Sequence, residues 1–210
     1  MIRFLGAYEH FLENDISVEN LSVDEHFWYA GKILNIELVE TINIKYQYVT
    51  RKYFNYMLFD SSKFYRLTQL FQTERKYIKE ADLKEFYSEC FYVGKGQGDR
   101  PYVHLHEALD KDIQNNKVET IRKIWDRKSG IVVMKFFHGS SSFVASTKEA
   151  ILIDFLELNE LTNVRRGTYY GGIDKWNKKT LMNMGKFYSL QIIAQCCDQY
   201  FETIMKEDLI

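Results

Sequence analysis

Arg100 and His104 stand four residues apart within Phe91–Ala108, which reads FYVGKGQGDRPYVHLHEA. On a helix that spacing puts both side chains on one face. A guanidinium beside an imidazole suits a phosphate, because guanidinium pairs with phosphate oxygens in a fork. The glycines upstream, Gly94, Gly96 and Gly98, do not form a P-loop, since Lys95 sits among them and no GK[ST] closes the run. They also lack the G-x-G-x-x-G spacing of a dinucleotide site. They read instead as a turn between a short strand, Phe91–Val93, and a helix whose first turn accepts Pro101. The polar residues elsewhere that could join Arg100 and His104 are Tyr56, Tyr92, Glu149 and Asn163.

The elements that must position this set follow from periodicity. Tyr46–Phe59, dense in aromatic and β-branched residues, reads as one or two strands, the second being Tyr53–Phe59 before a turn at Asp60-Ser61-Ser62. Phe64–Phe71 and Lys79–Cys90 are helix-like, and Phe91–Val93 returns beside the first strand. His104–Ile124 predicts a helix in two pieces with a break near Asn115-Asn116. Ile131–Phe137 reads as a buried strand. Ser146–Leu158 is the clearest helix, capped by Ser146 or Thr147, with Glu149 in its first turn where the helix dipole favours a carboxylate. Arg165–Gly172 is a basic, aromatic and Gly-rich loop, and Trp176–Phe201 closes the chain as a helix or helix pair. Upstream, Ile2–Leu12 has helical spacing broken by Gly6, and Ser22 with Glu25 starts a capping box ahead of a helix from His26.

The chain has 210 residues, 46% hydrophobic and 27% charged, enough to fold and bury a core. One proline excludes Pro-rich linkers. No apolar run approaches the roughly 20 residues of a membrane span, and the N-terminal stretch turns acidic too early for a secretory signal. The three cysteines, Cys90, Cys196 and Cys197, lack zinc or redox spacing and point to reduced thiols in a nuclear or cytoplasmic, not secreted, protein. The formal net charge of −1 argues against a strongly basic nucleic-acid binder. The distribution is more telling. Residues 1–50 hold three Lys/Arg against eight Asp/Glu, whereas residues 90–186 hold sixteen against eleven. A basic middle behind an acidic front allows a local field for a polyanion.

Three segments, in this order, carry a resemblance: YVGKGQGDRPYVH from Tyr92, SSFVASTKEAILID from Ser141, and LTNVRRGTYYG from Leu161. Together with Phe54-Asn55-Tyr56, they resemble the GIY-YIG endonuclease domain, in the branch found at the C-terminus of animal nucleases with ankyrin repeats and a LEM domain. Phe54-Asn55-Tyr56 matches the first half-motif without its Gly, and Tyr92-Val93-Gly94 nearly matches the second. The resemblance implies an α+β fold. It has a small, mostly antiparallel three-stranded sheet flanked by helices, in a core at residues 49–172 with an enlarged connection at 61–90. An acidic helical extension precedes it at 1–48, and a helical extension follows at 173–210.

The resemblance further implies a structure-selective DNA endonuclease that leaves 5′-phosphate and 3′-hydroxyl ends. Its substrates would be branched DNA such as Holliday junctions and flaps. Glu149 would hold a single Mg²⁺ or Mn²⁺, and Arg100 would neutralise the scissile phosphate. Tyr56 would take the proton of the attacking water, helped by His104, and Tyr92 would orient nucleophile or phosphate. Proximity to Arg100 and the ion would have to lower the Tyr56 pKa for this. Lys95, His106, His138, Asn163, Arg165 and Arg166 are the candidate nucleic-acid contacts. The rival reading is a catalytically inactive nucleic-acid-binding module on the same fold.

Overall fold

The computed structural model describes residues 25–46, 50–62, 64–65, 68, 80–198 and 201–210. The expected helix at Ile2–Leu12, the Ser22 cap and most of Phe64–Phe71 lie outside them. Six helices of the described residues matter here: α1 (Glu25–Lys45), α2 (Glu80–Ser88), α3 (Arg100–Leu109), α4 (Asn116–Asp126), α5 (Ser142–Leu156) and α6 (Lys178–Asp198). The strands are β1 (Tyr53–Asp60), β2 (Cys90–Gly96), β3 (Ile131–Ser140) and β4 (Thr203–Ile204). They form one antiparallel sheet in the order β2-β1-β3-β4.

β1 is central and buried along nearly its whole length. Its side chains alternate between two faces, as a strand requires. Met57 and Phe59 join a core with Leu34, Leu38 and Ile42 of α1, Ile151 and Leu152 of α5, and Phe187 of α6. Phe54, Tyr56 and Leu58 face the other way, onto Leu105 of α3 and Val118, Ile121 and Ile124 of α4. The sheet therefore separates two helical layers, and Tyr56 belongs to the α3–α4 side.

The structure departs from the sequence reading in four places. The sheet has four strands rather than three: β4 pairs Ile204 with Ile131 and Thr203 with Val132. A two-residue strand has no periodicity to read. The C-terminal region thus contributes to the sheet as well as adding a helix. Tyr46 is not in a strand. It follows the end of α1 and stacks on Phe143, with ring centroids 4.2 Å apart. β2 does not stop at Val93 but runs through Gly94 to Gly96, so the turn is confined to the residues before Arg100. Finally, α5 begins at Ser142, because the Ser141 side chain accepts the Val144 N–H at 3.2 Å and captures the helix start. Ser146, Thr147 and Glu149 are consequently mid-helix, and Glu149 gains nothing from the N-terminal dipole. The expected two-piece helix is present as α3 and α4, and Asn115 caps the second piece by accepting the Val118 N–H at 3.0 Å.

Candidate active site

Tyr56 sits at the middle of β1 with 1% of its surface exposed. Its ring lies over Gly94 of β2, where an added Cβ would come within 2.5 Å of Tyr56 Cζ. The glycine in the second half-motif therefore makes room for a tyrosine from the first. Tyr92, two residues before Gly94, brings its ring centroid to 5.9 Å from that of Tyr56 and 5.3 Å from that of His104. α3 opens at Arg100, with Pro101 in its first turn, and packs close to β2. A Cβ on Gly96 would lie 2.6 Å from Arg100 Cβ. One turn on, the imidazole of His104 is buried, 1% exposed, and its Nε2 is 2.8 Å from the Tyr56 hydroxyl.

Burial pushes the Tyr56 phenol well above its ordinary range; Tyr92 and Glu149 act in the same direction, and Arg100 opposes them without prevailing. The lowering expected from Arg100 is therefore outweighed by the desolvation of a phenolate in the core. Burial also raises the Tyr92 phenol, with Glu149 adding to it. His104 moves down to about 4, first through burial and then through the charge of Lys117, so its imidazole is neutral.

Two members of this cluster escaped the sequence reading. Glu107 Oε2 is 3.1 Å from His104 Nδ1, and Lys117 Nζ is 2.7 Å from the same atom. Glu107 follows His104 by three residues on α3 and was legible as a helical neighbour. Lys117 reaches across from the first turn of α4, and its position depends on how the α3–α4 connection closes, which local spacing does not encode.

A cleft of about 570 Å³ opens beside this cluster, its walls including Tyr92, Lys95, Lys117, Glu149, Arg165 and Arg166. Glu149 projects into it from α5. Burial raises its carboxyl to about 7, against the opposing charge and backbone N–H of Lys95. Lys95 also donates from Nζ to the Ser142 hydroxyl at 3.0 Å and carbonyl at 3.3 Å. Asn163 lines the cleft, but its amide is committed to β2: it accepts the Val93 N–H at 3.1 Å and donates to the Val93 carbonyl at 2.8 Å. Arg166 lies 3.8 Å from Asp154, which accepts from the Tyr169 hydroxyl. His106 is exposed on α3 and His138 is exposed on β3 beside Phe54; neither is among the cleft's walls.

Among the described residues no three His, Cys, Asp or Glu side chains gather into a metal cage. A lone carboxylate on a polar cleft nonetheless fits a hard divalent cation that keeps most of its waters. Burial is what raises the Glu149 carboxyl, and a cation bound there would favour its charged form. Among the described residues no helix is long and apolar enough to cross a membrane.

Three animal proteins are similar to the chain. The mouse "Ankyrin repeat and LEM domain-containing protein 1" is 34% identical over 143 residues, 65% of this chain and 26% of its own length. Its human namesake is 34% identical over 137 residues, 61% of this chain and 22% of its length. The Caenorhabditis elegans homolog is 32% identical over 117 residues, 52% of this chain and 17% of its length. The chain thus spans only about a quarter or less of the relatives it matches. No solved structure matches it. The model of the LEM-3-like GIY-YIG domain covers residues 53–210, from the first residue of β1 through β4, and so takes in every member of the Tyr56–His104 cluster and the Glu149 cleft. The chain belongs to the LEM-3-like GIY-YIG domain family, a nuclease-like family whose membership supports a nuclease-related function.

Proposed function

We propose that the chain is a divalent-metal-dependent DNA endonuclease that hydrolyses phosphodiester bonds in branched or structured DNA, such as junctions and flaps, leaving 5′-phosphate and 3′-hydroxyl ends. The observation that carries this reading is that Glu149 and Tyr92 line one cleft, with the hydrogen-bonded Tyr56–His104 pair directly beside Tyr92. Glu149 would hold one Mg²⁺ or Mn²⁺. When bound, the ion supplies Lewis-acid stabilisation of charge on the reacting phosphate and its leaving oxygen.

The remaining work falls to the protein's own side chains. Arg100, exposed at the start of α3, neutralises charge on the scissile phosphate. Tyr56 handles the proton of the attacking water. Arg100 favours its phenolate and burial opposes it, so turnover should climb with pH. Tyr92 orients the nucleophile or the phosphate. Lys95, Arg165 and Arg166 on the cleft walls pair with backbone phosphates, in keeping with the basic middle of the chain.

A nicking assay on linear and branched DNA with Mg²⁺ or Mn²⁺ tests this. Wild type should cut, branched substrates faster, and Glu149→Gln should lose at least about 100-fold. Full cleavage by Glu149→Gln, or none by wild type with either ion, would sink the reading. The second reading, a nucleic-acid-binding module without turnover, draws on two observations: burial favours the protonated Tyr56 phenol, and its half-motif lacks a glycine. It predicts DNA binding unaccompanied by cleavage.

A further inference from the structure

Lys117 has none of the roles above, yet it is held in the cleft wall with 13% of its side chain exposed. Its Nζ lies 4.8 Å from the centroid of the Tyr92 ring. Around His104 Nδ1 two opposite charges compete: Lys117 Nζ at 2.7 Å and Glu107 Oε2 at 3.1 Å, themselves 3.7 Å apart. On the far side of the ring, Nε2 meets the Tyr56 hydroxyl at 2.8 Å.

A neutral imidazole carries one N–H and one bare nitrogen, and its partners decide which is which. A carboxylate only accepts, so Glu107 calls for a proton on Nδ1. An ammonium only donates, so Lys117 calls for a bare Nδ1. Glu107 is a carboxylate here: despite its own burial it is held below the usual range by His104, Lys117 and Arg100. Lys117 is brought down to about 8, by burial first, with Glu107 opposing and Arg100 adding, so it remains an ammonium at neutral pH. The groups facing it are thus Glu107, His104 and Arg100 of α3 and the Tyr92 ring of β2. Lys117 makes the shorter contact and is the more enclosed of the two rivals, at 13% exposed against 28% for Glu107.

We propose that Lys117 is a positioning residue that holds His104 as the Nε2–H tautomer, so that His104 donates to the Tyr56 oxygen and the phenolic proton of Tyr56 is left free to point away from the imidazole. Without Lys117, Glu107 captures a proton on Nδ1. Nε2 then becomes an acceptor and draws the Tyr56 proton toward itself. One lysine, contributed by a different helix, therefore decides in which direction the Tyr56–His104 hydrogen bond runs. The tautomer rests on the contacts that Lys117 and Glu107 make with Nδ1 and on their opposite charges; its effect on turnover rests on the nuclease reading.

The test is ¹⁵N-histidine NMR on the 210-residue chain at pH 7, with the His104 signals among the five histidines identified by their loss in His104→Asn. Wild type should show a protonated Nε2 and a bare Nδ1. Lys117→Met should reverse the pattern with an unchanged backbone amide spectrum, and Lys117→Arg, which keeps a donor, should restore it. A wild-type Nδ1–H, or an Nε2–H that survives in folded Lys117→Met, overturns the assignment. The wild-type spectrum decides even where a variant fails to fold. In the nicking assay Lys117→Met should lower kcat about 100-fold with little change in KM, and Lys117→Arg should recover it. A reversed tautomer in a chain that never cuts would uphold the role of Lys117 and count against the nuclease reading alone.

Discussion

At Glu149 the proposed metal-holding role and stability pull in opposite directions. Its folded pKa, about 7, lies above the ordinary 4.5. The folded, cation-free protein therefore holds this proton more tightly than the unfolded chain does, and stability falls as pH rises from about 4.5 to 7. Glutamine escapes that cost. Glu149→Gln should stabilise the cation-free protein at pH 8 by about 1–3 kcal/mol and do nothing at pH 4, read as the difference between thermal melts. Added Mg²⁺ should stabilise the wild type at pH 8 and leave the variant unmoved. A variant less stable than wild type at pH 8 would contradict the pKa assignment. Tyr56, Tyr92, Arg100, His104 and Glu149 stood out in the chain as a polar set, and the resemblance of the segments around them is what suggested their roles. Their protonation was not legible there: in the cation-free protein, burial, invisible in a one-dimensional string, outweighs Arg100 at Tyr56.

At the scale of elements, the glycines of β2 and of the turn after it separate into kinds that the sequence does not distinguish. Gly94 is a packing glycine: a Cβ there would come within 2.5 Å of the Tyr56 ring. Gly98 is a conformational one, with φ +56° and nothing within 4 Å of an added Cβ. Gly94→Ala should cost about 1–3 kcal/mol from overpacking and lower cleavage at least tenfold by displacing Tyr56. Gly98→Ala should cost about 1 kcal/mol and leave cleavage near wild type. Equal effects of the two substitutions on cleavage would refute this division of roles. The same limit explains what the sequence showed of the elements. The break between α3 and α4 was legible because Asn115 caps the second helix locally. The start of α5 was not, because Ser140, Ser141, Ser142 and Ser146 all offer cap chemistry and only the chain's path selects Ser141. β4 is stabilised by its partner strand rather than by its own pattern.

For the molecule as a whole, the family match begins at Tyr53, yet α1 lies before it and is part of the core. Leu34, Leu38 and Ile42, at helical spacing, are each 0% exposed and packed against residues of α5 and α6. Burying three aliphatic side chains is worth about 5–9 kcal/mol, comparable to the entire stability of an ordinary domain. A fragment of residues 53–210 should therefore fail to give a cooperative thermal melt, whereas the 210-residue chain should melt cooperatively. A fragment as stable as the full chain would show α1 to be an accessory. The edges of β2 and β3 that face away from β1 are covered in a similarly economical way. Along β2, the Thr162 N–H reaches the Phe91 carbonyl and the Asn163 amide closes on Val93 like a single rung of a strand. Along β3, β4 takes Ile131 and Val132, and the Gln195 amide takes the Lys135 carbonyl. Those rungs cover part of both edges and limit their pairing with a strand from another molecule. Asn163, expected as a nucleic-acid contact, thereby also closes part of the β2 edge.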